Sequence, residues 1–232
     1  MTAVVAHRGA HHRFRENTLG AFEAALALGV DGIEFDVRPT SDGALVVHHD
    51  PLLEGRPLSL TPRAELPDWV PTLAEVLELT RGVVAHVELK NAREAGEVVY
   101  DDTGALVRAA LAEIEGARLA HRPVVSCFDL ATCARVRASG ADVAVAWLVE
   151  GGPLKGPLTE AHVLELDGLN PFYRDVDGPA VALARELGLA LHVWTVNAEA
   201  DLMALVALGV DGVITDEPAR ARALLGRGGT GR

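Results

Sequence analysis

Two carboxylates stand two residues apart in Ile33-Glu34-Phe35-Asp36-Val37, and Glu88 and Lys90 repeat that spacing in Val87-Glu88-Leu89-Lys90. Residues two apart in an extended strand share one face, so each pair points to one side. His7-Arg8-Gly9 closes an apolar run near the N-terminus, and His48-His49-Asp50 closes another. Three carboxylates converging in a low-dielectric setting repel one another unless a cation lies among them. Oxygen donors alone favour a hard ion, Mg²⁺ or Ca²⁺, over Zn²⁺. Salt bridges from Glu34, Asp36 and Glu88 to Arg8 and Lys90 are the alternative arrangement. His7 and His49 suit general acid–base work, because an unperturbed imidazole titrates at about 6.5.

These groups meet only if the strands carrying them are neighbours. An internal echo supplies the architecture: Ala27-Leu28-Gly29-Val30-Asp31-Gly32 recurs as Ala207-Leu208-Gly209-Val210-Asp211-Gly212. Each copy ends an apolar-periodic helix at a glycine and then opens a β-branched strand. Strands are expected over 3–8, 32–37, 83–89, 122–126, 142–148, 166–169, 190–195 and 211–214. Eight strands separated by helix-like segments predict a (β/α)8 TIM barrel in the α/β class, with an open doubly wound sheet as the competing topology. Polar residues at the carboxyl ends of barrel strands read as active site, which is where His7, Glu34, Asp36, Glu88 and Lys90 fall.

A ninth strand, 44–49, breaks the alternation. It follows Asp42-Gly43, a two-residue hairpin signal, and is expected to fold back antiparallel on the second strand with Ser41 facing Ala44 and His49 facing Asp36. Pro51, Pro57, Pro62, Pro67 and Pro71 make 51–72 an irregular connection. Thr72, with Glu75 three residues on, is expected to cap the next helix. His86 and His192 are assigned to the barrel interior, one step deeper than Glu88 and Trp194, as core packing, with outer support of the metal as the alternative role. His11, His12, His121 and His162 are assigned to loops or surfaces.

The 232 residues suit one barrel domain over 1–225, with a Gly-rich tail over 226–232. A net charge of −12 argues against nucleic acid or an anionic membrane as a broad-surface partner, yet leaves room for a small anion held by local cations. Lys90 and Lys155 are the only lysines. The N-terminus carries no basic leader, and no apolar run is long enough for a membrane span, so no signal peptide or membrane insertion is expected. Cys127 and Cys133 read as ordinary packed thiols in a reducing cytoplasm.

In order along the chain, His7-Arg8-Gly9, Glu16-Asn17-Thr18, Ile33-Glu34-Phe35-Asp36-Val37, Asp42-Gly43, Val46-Val47-His48-His49-Asp50, Pro71-Thr72-Leu73 and Val87-Glu88-Leu89-Lys90 resemble the successive motifs of the glycerophosphodiester phosphodiesterase family. Val193-Trp194-Thr195-Val196-Asn197 and 209–216 resemble its closing motifs. The resemblance implies metal-dependent hydrolysis of glycerophosphodiesters to glycerol 3-phosphate and an alcohol. It implies His7 and His49 as the acid–base pair, Glu34, Asp36 and Glu88 as ligands of Mg²⁺ or Ca²⁺, and Arg8 and Lys90 as phosphate contacts. Ser126-Cys127-Phe128 resembles a Ser-Ser-Phe stretch of the family, which nominates Phe128, with Trp194, as an apolar wall for the glycerol; core packing is their alternative role. Glu16 and Asn17 are expected to brace the first loop.

Arg15 replaces the family's usual proline, and the segment after Pro51 is shortened to Leu52-Leu53-Glu54-Gly55-Arg56, which bears on substrate capping. A lysophospholipase D or sphingomyelinase D-like enzyme would need an apolar rim or an amphipathic membrane helix, neither evident here. A non-catalytic metal- or sugar-phosphate-binding barrel would need no pair of histidines. The leaving alcohol, the choice of metal and the oligomeric state stay open.

Overall fold

The computed structural model describes residues 1–91 and 99–226. The chain runs through β1 (Ala3–His7), α1 (Leu19–Ala27), β2 (Gly32–Pro39), β3 (Leu45–Val47), β4 (Leu52–Leu53), β5 (Arg56–Pro57), α2 (Leu73–Leu79) and β6 (Val84–Leu89). It continues with α3 (Ala105–Ala117), β7 (Val124–Cys127), α4 (Leu130–Ala138), β8 (Ala144–Val149), α5 (Lys155–Val163), β9 (Gly168–Pro171), α6 (Gly178–Leu187), β10 (Ala190–Val193), α7 (Glu199–Leu208), β11 (Gly212–Thr215) and α8 (Pro218–Gly226). Eight strands, β1, β2 and β6 to β11, pair in parallel, and β1 bonds to both β2 and β11. The sheet therefore closes into the expected TIM barrel rather than the open alternative. The expected tail begins inside α8 at Gly226; its remainder, 227–232, lies outside the described residues.

Strand alternation sorts the side chains into two layers. In β2, Ile33, Phe35 and Val37 join the apolar layer under the helices, where Phe35 meets Phe22 of α1 at 5.9 Å between ring centroids. Each fully buried side chain of this size contributes roughly 1.5–3 kcal/mol. The intervening Glu34 and Asp36 are buried too, on the interior face. The helices pin strand ends by local chemistry: Thr72 and Glu75 form the expected capping box at α2, and Gly209 ends α7 at φ +85°.

The echoed Asp-Gly pairs close the barrel floor. Asp31 accepts from the Val4 N–H at 2.8 Å, and Asp211 accepts from the Leu191 N–H at 2.8 Å, so each satisfies the second amide of a neighbouring strand. The glycines that follow make room for two imidazoles. A Cβ on Gly212 would lie 2.1 Å from His192 Cδ2, and one on Gly32 would lie 3.1 Å from His86 Cδ2. His86 and His192 meet edge to face at 5.0 Å inside the barrel, the packing role assigned to them.

The hairpin register differs from expectation. Val37 pairs with Val47, Arg38 with Val46 and Pro39 with Leu45, and the Thr40 N–H donates to Ala44 O at 2.9 Å. The loop thus has three residues, Ser41 to Gly43, with Gly43 at φ +82°, rather than the two of Asp42-Gly43. Thr40 adds a hydrogen bond from Oγ1 to Asp42 Oδ1 at 2.6 Å, which favours the longer loop. Ser41 therefore does not face Ala44, and His48, not His49, stands opposite Asp36. Beyond it the connection 51–72 forms no α-helix, as expected, but it is not wholly irregular: β4 and β5 pair antiparallel and two 3-10 turns follow, Leu58–Leu60 and Arg63–Glu65, on a small core of Val46, Leu53, Leu58, Leu66 and Val70.

Candidate active site

The carboxyl ends of the strands surround a cleft of about 280 Å³ lined by His7, Arg8, Glu34, His49, Glu88, Lys90, Ser126, Phe128, Leu148, Glu150, Asn170, Trp194, Thr195 and Ile214. Every residue singled out from the sequence lines it except Asp36, which sits fully buried just behind. The β2–β6 register, Glu34 beside His86 and Asp36 beside Glu88, brings the three carboxylates together. One oxygen from each lies within 4.8 Å of the others.

Two cations thread this cluster. Lys90 Nζ lies 2.6 Å from Glu88 Oε1 and 3.2 Å from Asp36 Oδ1, and Arg8 Nε lies 3.3 Å from Asp36 Oδ2. Both the ion-pair arrangement and the carboxylate triad are thus present at once. Burial pushes Asp36 upward, but Lys90 and Arg8 outweigh it and hold this carboxyl well below its usual range. Burial raises Glu88 to about 7 despite Lys90, with Asp36 repelling it further. Glu34 is driven well above the ordinary value by burial and by its neighbours Asp36 and Glu88. Its Oε1 is buried with no hydrogen-bond partner among the described residues. Two resident cations therefore do not neutralise three carboxylates, and an orphaned carboxylate oxygen in an all-oxygen donor set fits a hard divalent ion at Glu34, Asp36 and Glu88.

The first loop braces this arrangement as expected. Glu16 Oε1 accepts from Arg8 Nη1 at 3.0 Å, and the buried Asn17 donates from Nδ2 to Asp36 Oδ2 at 2.7 Å. Arg8 and Asn17 both take positive φ, at +55°, to turn these side chains back over the strand ends.

His7 ends β1 with Nδ1 2.6 Å from Asp216 Oδ1 and Nε2 3.9 Å from Glu34 Oε2. His49 arrives by a route other than the strand register. The chain leaves the ladder at His48, Arg38 Nε donates to the His49 carbonyl at 2.7 Å, and the His49 Nδ1 lies 2.8 Å from Asp50 Oδ1. Burial lowers the His49 pKa; Lys90 and Arg8 lower it further, and Asp36 opposes them. Phe128 and Trp194 meet edge to face at 5.5 Å on the opposite wall, with the indole Nε1 donating to Asn170 O at 2.7 Å.

Three residues escaped sequence reasoning. Asn170 lies one residue past the strand expected over 166–169; it is buried, and its Oδ1 has no partner among the described residues. Glu150 follows β8 with no motif to mark it. Asp216 sat within a closing motif without a role, yet it anchors His7 across 209 positions of chain. His11, assigned to a loop, also reaches Asp216 Oδ1, at 3.1 Å from Nε2, but stays outside the cleft lining.

Two imidazoles held by carboxylates, beside cations and an oxygen-donor cluster at a barrel mouth, make an arrangement suited to the hydrolysis of phosphoric diesters. Residues 7–220 match the Glycerophosphoryl diester phosphodiesterase family, and the chain belongs to it. It is 31% identical to a glycerophosphodiester phosphodiesterase of Caldanaerobacter subterraneus subsp. tengcongensis, over 98% of this chain and 99% of that one. A glycerophosphodiester phosphodiesterase structure from Parabacteroides distasonis superposes with a TM-score of 0.82 at 26% identity, covering 97% of both chains. An Oleispira antarctica phosphodiesterase, solved with its product sn-glycerol-3-phosphate, shares the barrel at a TM-score of 0.85 and 23% identity over 97% of each chain. The chain is accordingly an enzyme that hydrolyses glycerophosphodiesters.

Proposed function

We propose that this hydrolysis releases glycerol 3-phosphate from small, water-soluble glycerophosphodiesters, with His7 and His49 carrying protons and Glu34, Asp36 and Glu88 holding Mg²⁺ or Ca²⁺. The observation that carries the reading is the pairing of each imidazole Nδ1 with a carboxylate, Asp216 for His7 and Asp50 for His49, at one cleft. With Nδ1–H donating to its carboxylate, the lone pair of each ring stays on Nε2. One Nε2 takes the proton of the attacking hydroxyl, a neighbouring glycerol hydroxyl or water, and the other imidazole, protonated, gives its proton to the departing alkoxide. Arg8 and Lys90 hold the phosphate and offset charge developing on its oxygens. A bound divalent cation supplies further neutralisation of that charge. Phe128 and Trp194 flank the glycerol carbons.

Among the described residues no helix is long and apolar enough to cross a membrane. The net charge of −12 supports a partner list without nucleic acid, and two free buried thiols support the cytoplasm as the compartment. The test is glycerol 3-phosphate release from a panel of glycerophosphodiesters run beside lysophospholipids of the same head groups. Turnover of the soluble diesters with little on the lysolipids is expected. Preference for the lysolipids would transfer the assignment to a lysophospholipase D.

A further inference from the structure

We infer that His7, His11 and Asp216 form a second cation site, separate from the three carboxylates, that takes a borderline transition ion such as Zn²⁺ and silences the enzyme when filled. The three come from distant parts of the chain: the end of β1, the loop after it, and the residue after β11. Their donor atoms already converge. His7 Nδ1 lies 2.6 Å and His11 Nε2 3.1 Å from the same Asp216 Oδ1, and all three lie within 4.8 Å of one another. Ligands about 2.0–2.1 Å from a tetrahedral zinc stand roughly 3.3 Å apart, so only small side-chain shifts separate this trio from a coordinating geometry.

The chemistry of the donors separates the two sites. Glu34, Asp36 and Glu88 offer oxygen alone, which suits Mg²⁺ or Ca²⁺. Two imidazole nitrogens with one carboxylate oxygen suit zinc, cobalt or nickel instead. The carboxylate is also braced from behind. Asn197 Nδ2 donates to Asp216 Oδ2 at 2.7 Å, the Asp216 N–H donates to Asn197 Oδ1 at 2.9 Å, and Thr215 Oγ1 donates to the same Oδ1 at 3.2 Å. That bracing fixes one oxygen and aims the other at the two rings, the kind of outer support that coordinating carboxylates carry. All three side chains are partly exposed, which leaves a fourth position to water.

Filling this site takes the Nδ1 lone pair of His7. A neutral His7 carries one ring proton, so a cation on Nδ1 moves that proton from its bond with Asp216 to Nε2; an imidazolium would release its Nδ1 proton to solvent and keep the one on Nε2. The nitrogen that faces Glu34 then has no lone pair with which to accept a proton. This consequence rests on the acid–base reading of His7; the binding itself does not.

The experiment uses the full chain with Mg²⁺ in excess, Co²⁺ as spectroscopic probe and Zn²⁺ as inhibitor. Wild type is expected to show the visible d–d band of low-symmetry cobalt at one equivalent, and zinc is expected to suppress Mg²⁺-supported turnover. His11→Ala, on a partly exposed loop outside the cleft, should keep its turnover, lose the band and need more than about tenfold more zinc, the least that loss of even an outer-shell partner costs. Asp36→Asn, which weakens the oxygen site, should keep the band. The inference is overturned if His11→Ala binds cobalt and responds to zinc as wild type does, or if wild type gives no band. Loss of the band in His11→Ala with turnover indifferent to zinc throughout would overturn the silencing and, with it, the role of His7, while the site stands.

Discussion

The backbone N–H of His48 donates to the carbonyl of Asp36 at 2.9 Å, which makes His48 the cross-strand partner of this buried carboxylate. Its imidazole nonetheless turns away from the cleft: Nδ1 donates to Asp50 O at 3.0 Å, and the ring lies 6.2 Å from Trp69. His49, one step past the ladder, is the histidine that lines the cleft with His7. His7→Ala and His49→Ala are each expected to lower kcat by about 10²–10⁴, and His48→Ala to be mild. The double variant should lose much less than the product of the single losses, because the two histidines act as a unit. Steady-state kinetics of the four variants checks this, and an essential His48 beside a dispensable His49 would reverse the assignment.

Lys90 touches Asp36 and Glu88 with almost no access to solvent. Removing one partner from a buried charge cluster costs about 3–5 kcal/mol, so Lys90→Met should lower Tm in the chelated protein as well as turnover. Mg²⁺ or Ca²⁺ should then raise the Tm of Lys90→Met more than that of wild type, since the ion replaces the lost charge. Arg at this position should rescue turnover only in part, because a planar fork does not reproduce an ammonium point charge. Thermal unfolding with and without metal checks the first pair of outcomes. Equal metal-induced shifts in the two proteins would contradict them.

His86 gives the barrel a pH dependence. Burial, with His192 beside it, lowers its pKa well below 6.5. Below that value the unfolded chain binds a proton that the folded barrel refuses, so stability falls as pH falls, by up to about 1.4 kcal/mol per pH unit. His86→Leu should reduce that slope between about pH 6.5 and 5, leaving in place the contributions of His192, whose pKa burial also lowers, and of the buried carboxylates. Denaturant unfolding of both proteins across this range measures the difference. Parallel curves would show that His86 titrates normally in the fold.

The barrel itself was legible because helix-stop glycines and β-branched runs are local signals, and the Asp31-Gly32 and Asp211-Gly212 echo marked two equivalent starts. Glu34, Asp36, Glu88 and Lys90 could be grouped because parallel neighbours with a two-residue period need no further information. Strand ends were less legible: a strand read as ending at 169 runs to Pro171, and Asn170 fell outside the predicted lining. The hairpin slipped by one because a side-chain bond from Thr40 decides between two-residue and three-residue loops. Asp216 could not be matched to His7 or His11 from the sequence, since only barrel closure through the β1–β11 pairing brings them together.

The carboxylate cluster is expected to hold a divalent ion that the reaction needs. Glycerol 3-phosphate release should be measured after exhaustive chelation, after return of Mg²⁺ or Ca²⁺, and again with Glu34→Gln, Asp36→Asn and Glu88→Gln, folded state being verified by circular dichroism. Activity should be lost on chelation and recovered with either ion, and all three folded variants should show a higher metal requirement. Full turnover in the chelated wild type, or variants that keep wild-type metal dependence, would contradict that expectation.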